Sequence, residues 1–256
     1  MSAATITARR WAPPLVGLGS VLIVLAAVEI LIRAGVINGY IVPLPSQVAA
    51  SFTRVIFEED ILHRFLITAG ECLAASVLLT IFGLAVGIAF HQIRLLRHAC
   101  ESWVAAMASA PLVLAYPLFL VLFGRSALTI IVMSFIVGLP PVILKTIEGL
   151  SATRRVLINV GRSLKLSPAQ QFRKILFPSA LPTIFVGIRL GLMFALINVV
   201  AVEFLINFGG LGQLINDLAE RYDLPGVYAA ICFVILISVV FFVITERAER
   251  WLRSAA

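Results

Sequence analysis

The chain has 256 residues, of which 61% are hydrophobic and 13% charged, against roughly 45–50% and about 25% in an average soluble domain. So much apolar surface excludes a water-soluble globule. The formal net charge of +7 would point to nucleic acid in a soluble protein, but here the basic residues gather in loops beside apolar stretches, the pattern that orients membrane helices, and no nucleic-acid partner is implied.

The apolar residues fall in runs near the roughly 20 residues that an α-helix needs to cross about 30 Å of hydrocarbon. Lipid offers the backbone no hydrogen-bond partners, so only helices or closed barrels cross it, and continuous apolar runs exclude the alternation of a barrel. The fold class is therefore all-α, a polytopic membrane protein with six transmembrane helices.

In chain order, the first span covers about 14–33. Arg9 and Arg10 precede it as in a signal peptide, but the apolar run reaches Ile32, too far for a usual signal core, and it reads as an uncleaved span. Glu29 and Arg33 stand at helical i, i+4 spacing and are expected to pair. The second, third and fourth spans are expected at about 68–90, 103–123 and 127–147. Gly124-Arg125-Ser126 is so short a connection that spans three and four form an antiparallel hairpin. Pro111, Pro117, Pro140 and Pro141 are expected to kink or locally unwind them. A long loop at about 148–180 leads to a fifth span at 181–207 and a sixth at 227–244. Without repeats or low-complexity linkers, residues 1–256 read as one membrane domain. Cys72, Cys100 and Cys232 lie far apart without metal-like spacing, so neither a metal site nor a disulfide framework is implied.

With the N-terminus inside, fourteen basic residues fall on the cytoplasmic side: Arg9, Arg10, Arg94, Arg97, Lys145, Arg154, Arg155, Arg162, Lys165, Arg173, Lys174, Arg247, Arg250 and Arg253. Five, Arg33, Arg54, Arg64, Arg125 and Arg221, fall outside. The positive-inside rule then places both termini in the cytoplasm, with Glu58, Glu59, Asp60, Asp217, Glu220 and Asp223 outside.

The loop after span four has its own structure. Val156, Leu157, Val160 and Leu164 recur at helical spacing with Arg154, Arg155, Arg162 and Lys165 between them, which predicts a short amphipathic helix. Ser167 then caps a second helix, with Pro168 in its first turn and Gln170 at the capping-box position. Phe172, Ile175 and Leu176 give that helix an apolar side, and Pro178 and Pro182 are expected to end it before the fifth span. The two helices meet at 165–167 in an elbow. Its basic residues suit an interfacial hairpin lying on anionic membrane lipid, and its form equally suits a docking element.

The stretch Asn159-Val160-Gly161-Arg162-Ser163-Leu164-Lys165-Leu166-Ser167-Pro168, running on to Ile175-Leu176-Phe177-Pro178, resembles the cytoplasmic loop of ATP-binding cassette (ABC) importer permeases. That loop has the form Glu-Ala-Ala, a spacer, Gly, a longer spacer and a Leu-Pro-like end. Pro178-Ser179-Ala180-Leu181-Pro182, Gly187-Ile188-Arg189, Val42-Pro43-Leu44-Pro45-Ser46, and Glu203 followed by Gly209-Gly210-Leu211-Gly212 resemble the branch serving sulfonates, taurine, nitrate and thiamine precursors. The likeness runs from about Ile30 to Ile244. Two positions depart from it: Asn159 stands where the family usually has Glu, and Lys165 where it usually has the elbow Gly. A non-glycine residue with positive φ loses on the order of 1–2 kcal/mol, so Lys165 either carries that strain or adopts another turn.

The resemblance implies a bacterial inner-membrane subunit working with a second permease subunit: a homodimer, the usual form of this branch, or a heterodimer in which the partner keeps the usual loop sequence. It also implies a pair of cytoplasmic ATPase subunits and an extracytoplasmic solute-binding protein. Asn159, Gly161, Arg162, Leu164, Lys165, Leu166, Ser167 and Pro168 would form the ATPase-docking elbow. The chain has no Gly-x-x-x-x-Gly-Lys-Ser/Thr loop, so no cofactor is expected in it and ATP would bind the partner. Charges inside spans are expensive unless paired or beside water. Glu71, Arg189 and Glu203 are therefore candidates for the translocation path, with Arg189 expected either to meet an anionic substrate or, the favoured reading, to pair with Glu71 or Glu203. A membrane enzyme would need convergent catalytic groups, whereas His63, His91 and His98 are scattered. A passive channel or secondary transporter would need no elbow.

Overall fold

The computed structural model describes residues 3–255, with side chains described for 16–247, 249 and 250. The side chains of Arg9, Arg10 and Arg253, counted above for orientation, lie outside the described residues. Among the described residues the structure is helical without strands: α1 (Ala3–Arg33), α2 (Pro45–Glu58), α3 (Ile61–Gln92), α4 (Arg94–Ser109), α5 (Tyr116–Phe123), α6 (Ala127–Ser151), α7 (Arg155–Ser163), α8 (Pro168–Gln171), α9 (Phe177–Ile206), α10 (Gly210–Glu220) and α11 (Leu224–Ala255). Five helical segments are long and apolar enough to cross a membrane, and the bent pair α4–α5 makes a sixth. The chain forms two compact units, one running to Ile61 and taking in Ile215–Phe233, the other comprising Leu62–Leu214 and Val234 onward.

In the first unit Glu29 does more than its spacing foretold. Its carboxylate pairs with Arg33 at 2.6 Å and also accepts from the Ser46 amide at 3.1 Å and the Ser46 hydroxyl at 2.9 Å. One anion thus satisfies an orphan amide in the first turn of α2, where the helix dipole favours it, and ties that turn to the end of α1. The same unit contains the ion pairs Arg54–Asp223 and Arg221–Glu59, the latter at 2.9 Å. Asp223 beside Arg54 pushes the guanidinium above its ordinary pKa.

The second unit is built around α6. Half of its apolar length is buried inside the protein, which makes α6 the centre of this unit's helix packing. Small residues make the packing close. Gly187 and Gly191 on α9 repeat at i, i+4, and a Cβ on Gly191 would stand 2.6 Å from the Gly138 carbonyl oxygen of α6. A Cβ on Gly138 would in turn stand 2.7 Å from the Gly191 carbonyl oxygen. Gly83 and Gly87 on α3 make the same kind of approach to Val142 and Thr146 of α6. Without a hydrophobic drive between helices in lipid, backbone approach of this kind supplies the dispersion contacts that hold a bundle.

Three expectations need correction. The third span is not a continuous helix at 103–123: α4 is bent by 89° from the segment Leu112–Phe123, a 3-10 turn at Leu112–Ala115 followed by α5, with the break at Ala110 and Pro111. Pro111 is the cause. It lacks an amide hydrogen and drives the preceding residue out of helical geometry, and Ala110 accordingly has ψ 135°. Nor do Pro178 and Pro182 end the elbow's second helix. A π-turn at Phe172–Leu176 carries α8 directly into α9, with Pro178 in the first turn of α9. Pro140 and Pro141 likewise sit inside an unbroken α6.

Replacing Gly191 by Val should force α6 and α9 apart, because overpacking against backbone cannot relax by a side-chain rotation; such changes cost about 1–3 kcal/mol or more. The expected outcome is a lower melting temperature and loss of a monodisperse peak in detergent, with Gly70→Val as the control, since a Cβ there meets nothing within 4 Å.

Candidate functional site

The elbow predicted from the sequence is present and tightly specified. After α6, Thr153 is buried, and its hydroxyl shares a 2.9 Å hydrogen bond with Ser179. α7 then runs to Ser163 and ends in a Schellman turn: the Leu166 amide donates to the Gly161 carbonyl at 3.0 Å and the Lys165 amide to the Arg162 carbonyl at 2.9 Å. Lys165 occupies the left-handed position, φ 53°. It therefore takes the conformation that glycine adopts freely and carries the strain. Ser167 caps α8 as expected, its hydroxyl accepting from the Gln170 amide at 3.3 Å and its amide donating to the Gln170 side chain at 2.9 Å.

Gly161 is buried for a packing reason. A Cβ there would stand 2.6 Å from Cδ1 of Ile175, which belongs to the π-turn. Beside it the Gln171 amide side chain donates to the Ile158 carbonyl at 3.0 Å. These contacts press one face of α7 against the start of the α9 rod. A different face is bare: Val156 is 71% exposed, Val160 49% and Leu164 67%, an i, i+4, i+8 stripe of apolar side chains. Asn159, Arg162 and Lys165 are exposed around it, as are Ser167 and Pro168 at the start of α8, while Leu166 is half-buried. An open groove of about 780 Å³ runs behind the elbow, lined among others by His91, Arg162, Gln171 and Arg173.

The charged residues of the spans divide into two places. Glu203 is fully buried near the end of α9. Its carboxylate accepts from the Thr68 hydroxyl of α3 at 2.8 Å and from the Gly212 amide at 2.7 Å. Thr68 accepts in turn from the Leu211 amide at 2.9 Å. Two amides of the first turn of α10 are thus satisfied by side chains of α9 and α3. Gly210 is required there, because it has φ 43° and a Cβ would overlap the Glu203 carboxylate. Glu71 is 5% exposed, one turn along α3 from Thr68, and its carboxyl group meets that of Glu203. An apolar groove of about 560 Å³ beside this cluster is lined by Thr68, Cys72, Leu196, Val240 and Phe241 among others, but by neither glutamate.

Arg189 is not part of that cluster, and the expected pairing with Glu71 or Glu203 is overturned. Its guanidinium bonds Glu249 near the end of α11 at 3.0 Å and lies 5.7 Å from the centre of the Phe242 ring. The helix itself separates the charges, since the fourteen residue steps of α9 from Arg189 to Glu203 span about 21 Å. The sequence reading missed Glu249 and Thr68. The first was recoverable by noting that α9 and α11 are consecutive spans, so that the first half of one and the end of the other lie on the same side; a lone Thr carries no comparable signal.

Replacing Lys165 by Gly should relieve the strained turn and raise stability by up to about 1 kcal/mol. A melting curve in detergent should show a small upward shift, and a downward one would mean that the lysine side chain contributes more than its backbone loses.

A family model described as binding-protein-dependent transport system inner membrane component matches residues 74–254. The riboflavin transport system permease protein RibX of Chloroflexus aurantiacus is 29% identical over 224 residues, covering 86% of this chain and 84% of its own. The putative aliphatic sulfonates transport permease protein SsuC of Bacillus subtilis is 24% identical over 231 residues, covering 90% and 81%. Among solved structures, an inward-facing MetNI methionine ABC transporter aligns with a TM-score of 0.65 at 18% identity, covering 75% of this chain and 95% of that one, a likeness of fold.

Proposed function

The chain belongs to the family of binding-protein-dependent transport system inner membrane components, the permease subunits of ABC importers, and from that premise we propose how it works. Two permease subunits, most simply two copies of this chain, enclose the path for a small solute. An extracytoplasmic binding protein delivers that solute. Both termini and the elbow face the cytoplasm, where a pair of ATPase subunits docks on α7 and drives alternation between inward-open and outward-open states.

The bare apolar stripe Val156, Val160 and Leu164 supports this reading most directly. Lipid contact alone would not require the opposite side of the same short helix to be fixed by a Schellman turn, a capping box and the Gln171–Ile158 hydrogen bond. A lever that transmits force needs that fixation. Because the elbow passes into α9 without a break, displacement of α7 is delivered to a transmembrane helix rather than absorbed in a loop. The relatives carry names as unlike as riboflavin and aliphatic sulfonates, so we assign the choice of solute to the binding protein. The class proposed for this chain is a small organic anion such as a sulfonate, or nitrate, or a thiamine precursor.

The test is a pull-down of the tagged, detergent-solubilised chain from its native membrane with identification of the copurifying subunits. Wild type should bring down an ATPase, and the double variant Val160→Asp/Leu164→Asp should lose it while eluting as the same monodisperse species. An intact wild-type complex without any ATPase would refute the importer reading and favour a passive transporter.

A further inference from the structure

Family membership leaves one contact unexplained. Glu71 is 5% exposed, and both of its carboxyl oxygens are buried without a hydrogen-bond partner. Its carboxyl group lies beside that of Glu203 at the Gly209-Gly210 turn: a Cβ on Gly209 would stand 4.0 Å from Glu71 Oε1, and a Cβ on Gly210 would overlap the Glu203 carboxylate. Glu203 is already engaged by the Thr68 hydroxyl and the Gly212 amide, both of which donate to it. Those donors orient it as a carboxylate, and the first turn of α10 favours a negative charge at that point. Nothing comparable reaches Glu71.

Two ionised carboxylates in contact inside a bundle would add mutual repulsion to the loss of hydration that each already bears. Either a proton or a metal ion between them removes the conflict. A hard metal cation takes about six oxygen ligands, whereas the Glu203 oxygens are already committed to Thr68 and Gly212. A proton needs only one oxygen on each side, and a protonated carboxyl is a hydrogen-bond donor.

We propose that Glu71 and Glu203 form a buried proton-binding site, in which Glu71 carries the proton and donates it in a hydrogen bond to a Glu203 that stays ionised. The proton then belongs to the joint between α3, α9 and the start of α10 as much as any side chain does. It converts a contact between two acceptors into a donor–acceptor pair. It also leaves the charge on the residue whose surroundings hold it.

The proposal does not depend on ATPase docking, and its test uses the full-length chain alone in detergent at neutral pH. Infrared spectra of the wild type minus Glu71→Gln should show one carbonyl band of a protonated carboxyl. Glu71→Gln, whose amide donates in place of the acid, should keep the wild-type melting temperature, whereas Glu71→Ala, which removes the donor, should lower it. Absence of the band in the wild type would overturn the proposal, as would a Glu71→Gln variant that melts as low as Glu71→Ala. A wild-type melting temperature that rises with sodium or potassium chloride but not with choline chloride would overturn it in favour of a bound metal ion.

Discussion

Inside a membrane protein a backbone amide has no water to turn to, and the junction between α9 and α10 is where this chain meets that constraint most sharply. α9 ends at Ile206 with Asn207 in the left-handed region, φ 49°, and α10 restarts at Gly210. A helix that starts afresh exposes four unpaired amides. Thr68 and Glu203 take those of Leu211 and Gly212, so α3 has to pack here for α10 to begin here. The same requirement fixes Gly210, whose Cβ would occupy the space of the Glu203 carboxylate. A buried carboxyl is expensive in isolation and stabilising only when its acceptors are used. At this junction the first condition explains why Glu203 sits against a hydroxyl and amides, and the second explains why the turn can be so short.

The opposite end of the same helix is governed by stiffness. From Pro168 to Ile206 the chain is one helical segment of 39 residues, about 58 Å long at about 1.5 Å per residue. Its π-turn passes the Pro178 that an ordinary α-helical turn would have had to accommodate, at the cost of one wider turn rather than a break. Gly161 lets α7 lie against that turn, and the strained Lys165 closes the elbow. Retaining a strained residue in an exposed turn is consistent with the surrounding hydrogen bonds over-determining the conformation.

How much of this was legible in the sequence depended on range. Features set within one or two turns were readable: the spans, the Glu29–Arg33 pair, the Ser167–Gln170 capping box, and the alternatives open to Lys165. The failures were long-range. Glu29 also holds Ser46, seventeen residues away, and Arg189 pairs with Glu249 across two spans. Spacing within a helix cannot announce either. The 89° break at Pro111 and the unbroken passage through Pro140, Pro141 and Pro178 show the same limit for proline. Its missing amide is certain from sequence, but whether the chain bends depends on what neighbouring helices and turn geometry supply. At Pro111 the preceding residue leaves the helix, whereas Pro140 and Pro141 are buried inside an α6 that stays whole. The glycine pairs Gly83/Gly87 and Gly187/Gly191 were a readable signal of close helix approach that composition alone had hidden.

These constraints decide where motion can enter. α6 and α9 touch backbone to backbone at Gly138 and Gly191, where neither helix has a side chain to rearrange, so sliding one past the other would forfeit the contacts that replace a hydrophobic drive in lipid. A push at α7 reaches α9 through Gly161, Ile175 and the π-turn without meeting a flexible link. At the far end of the rod the chain has its cluster of soft backbone positions: Asn207 in the left-handed region, followed by Gly209 and Gly210 with φ 65° and 43°. The helical segment thus runs unbroken from the elbow to this joint, where the fully buried Glu203 accepts from the Gly212 amide in the first turn of α10.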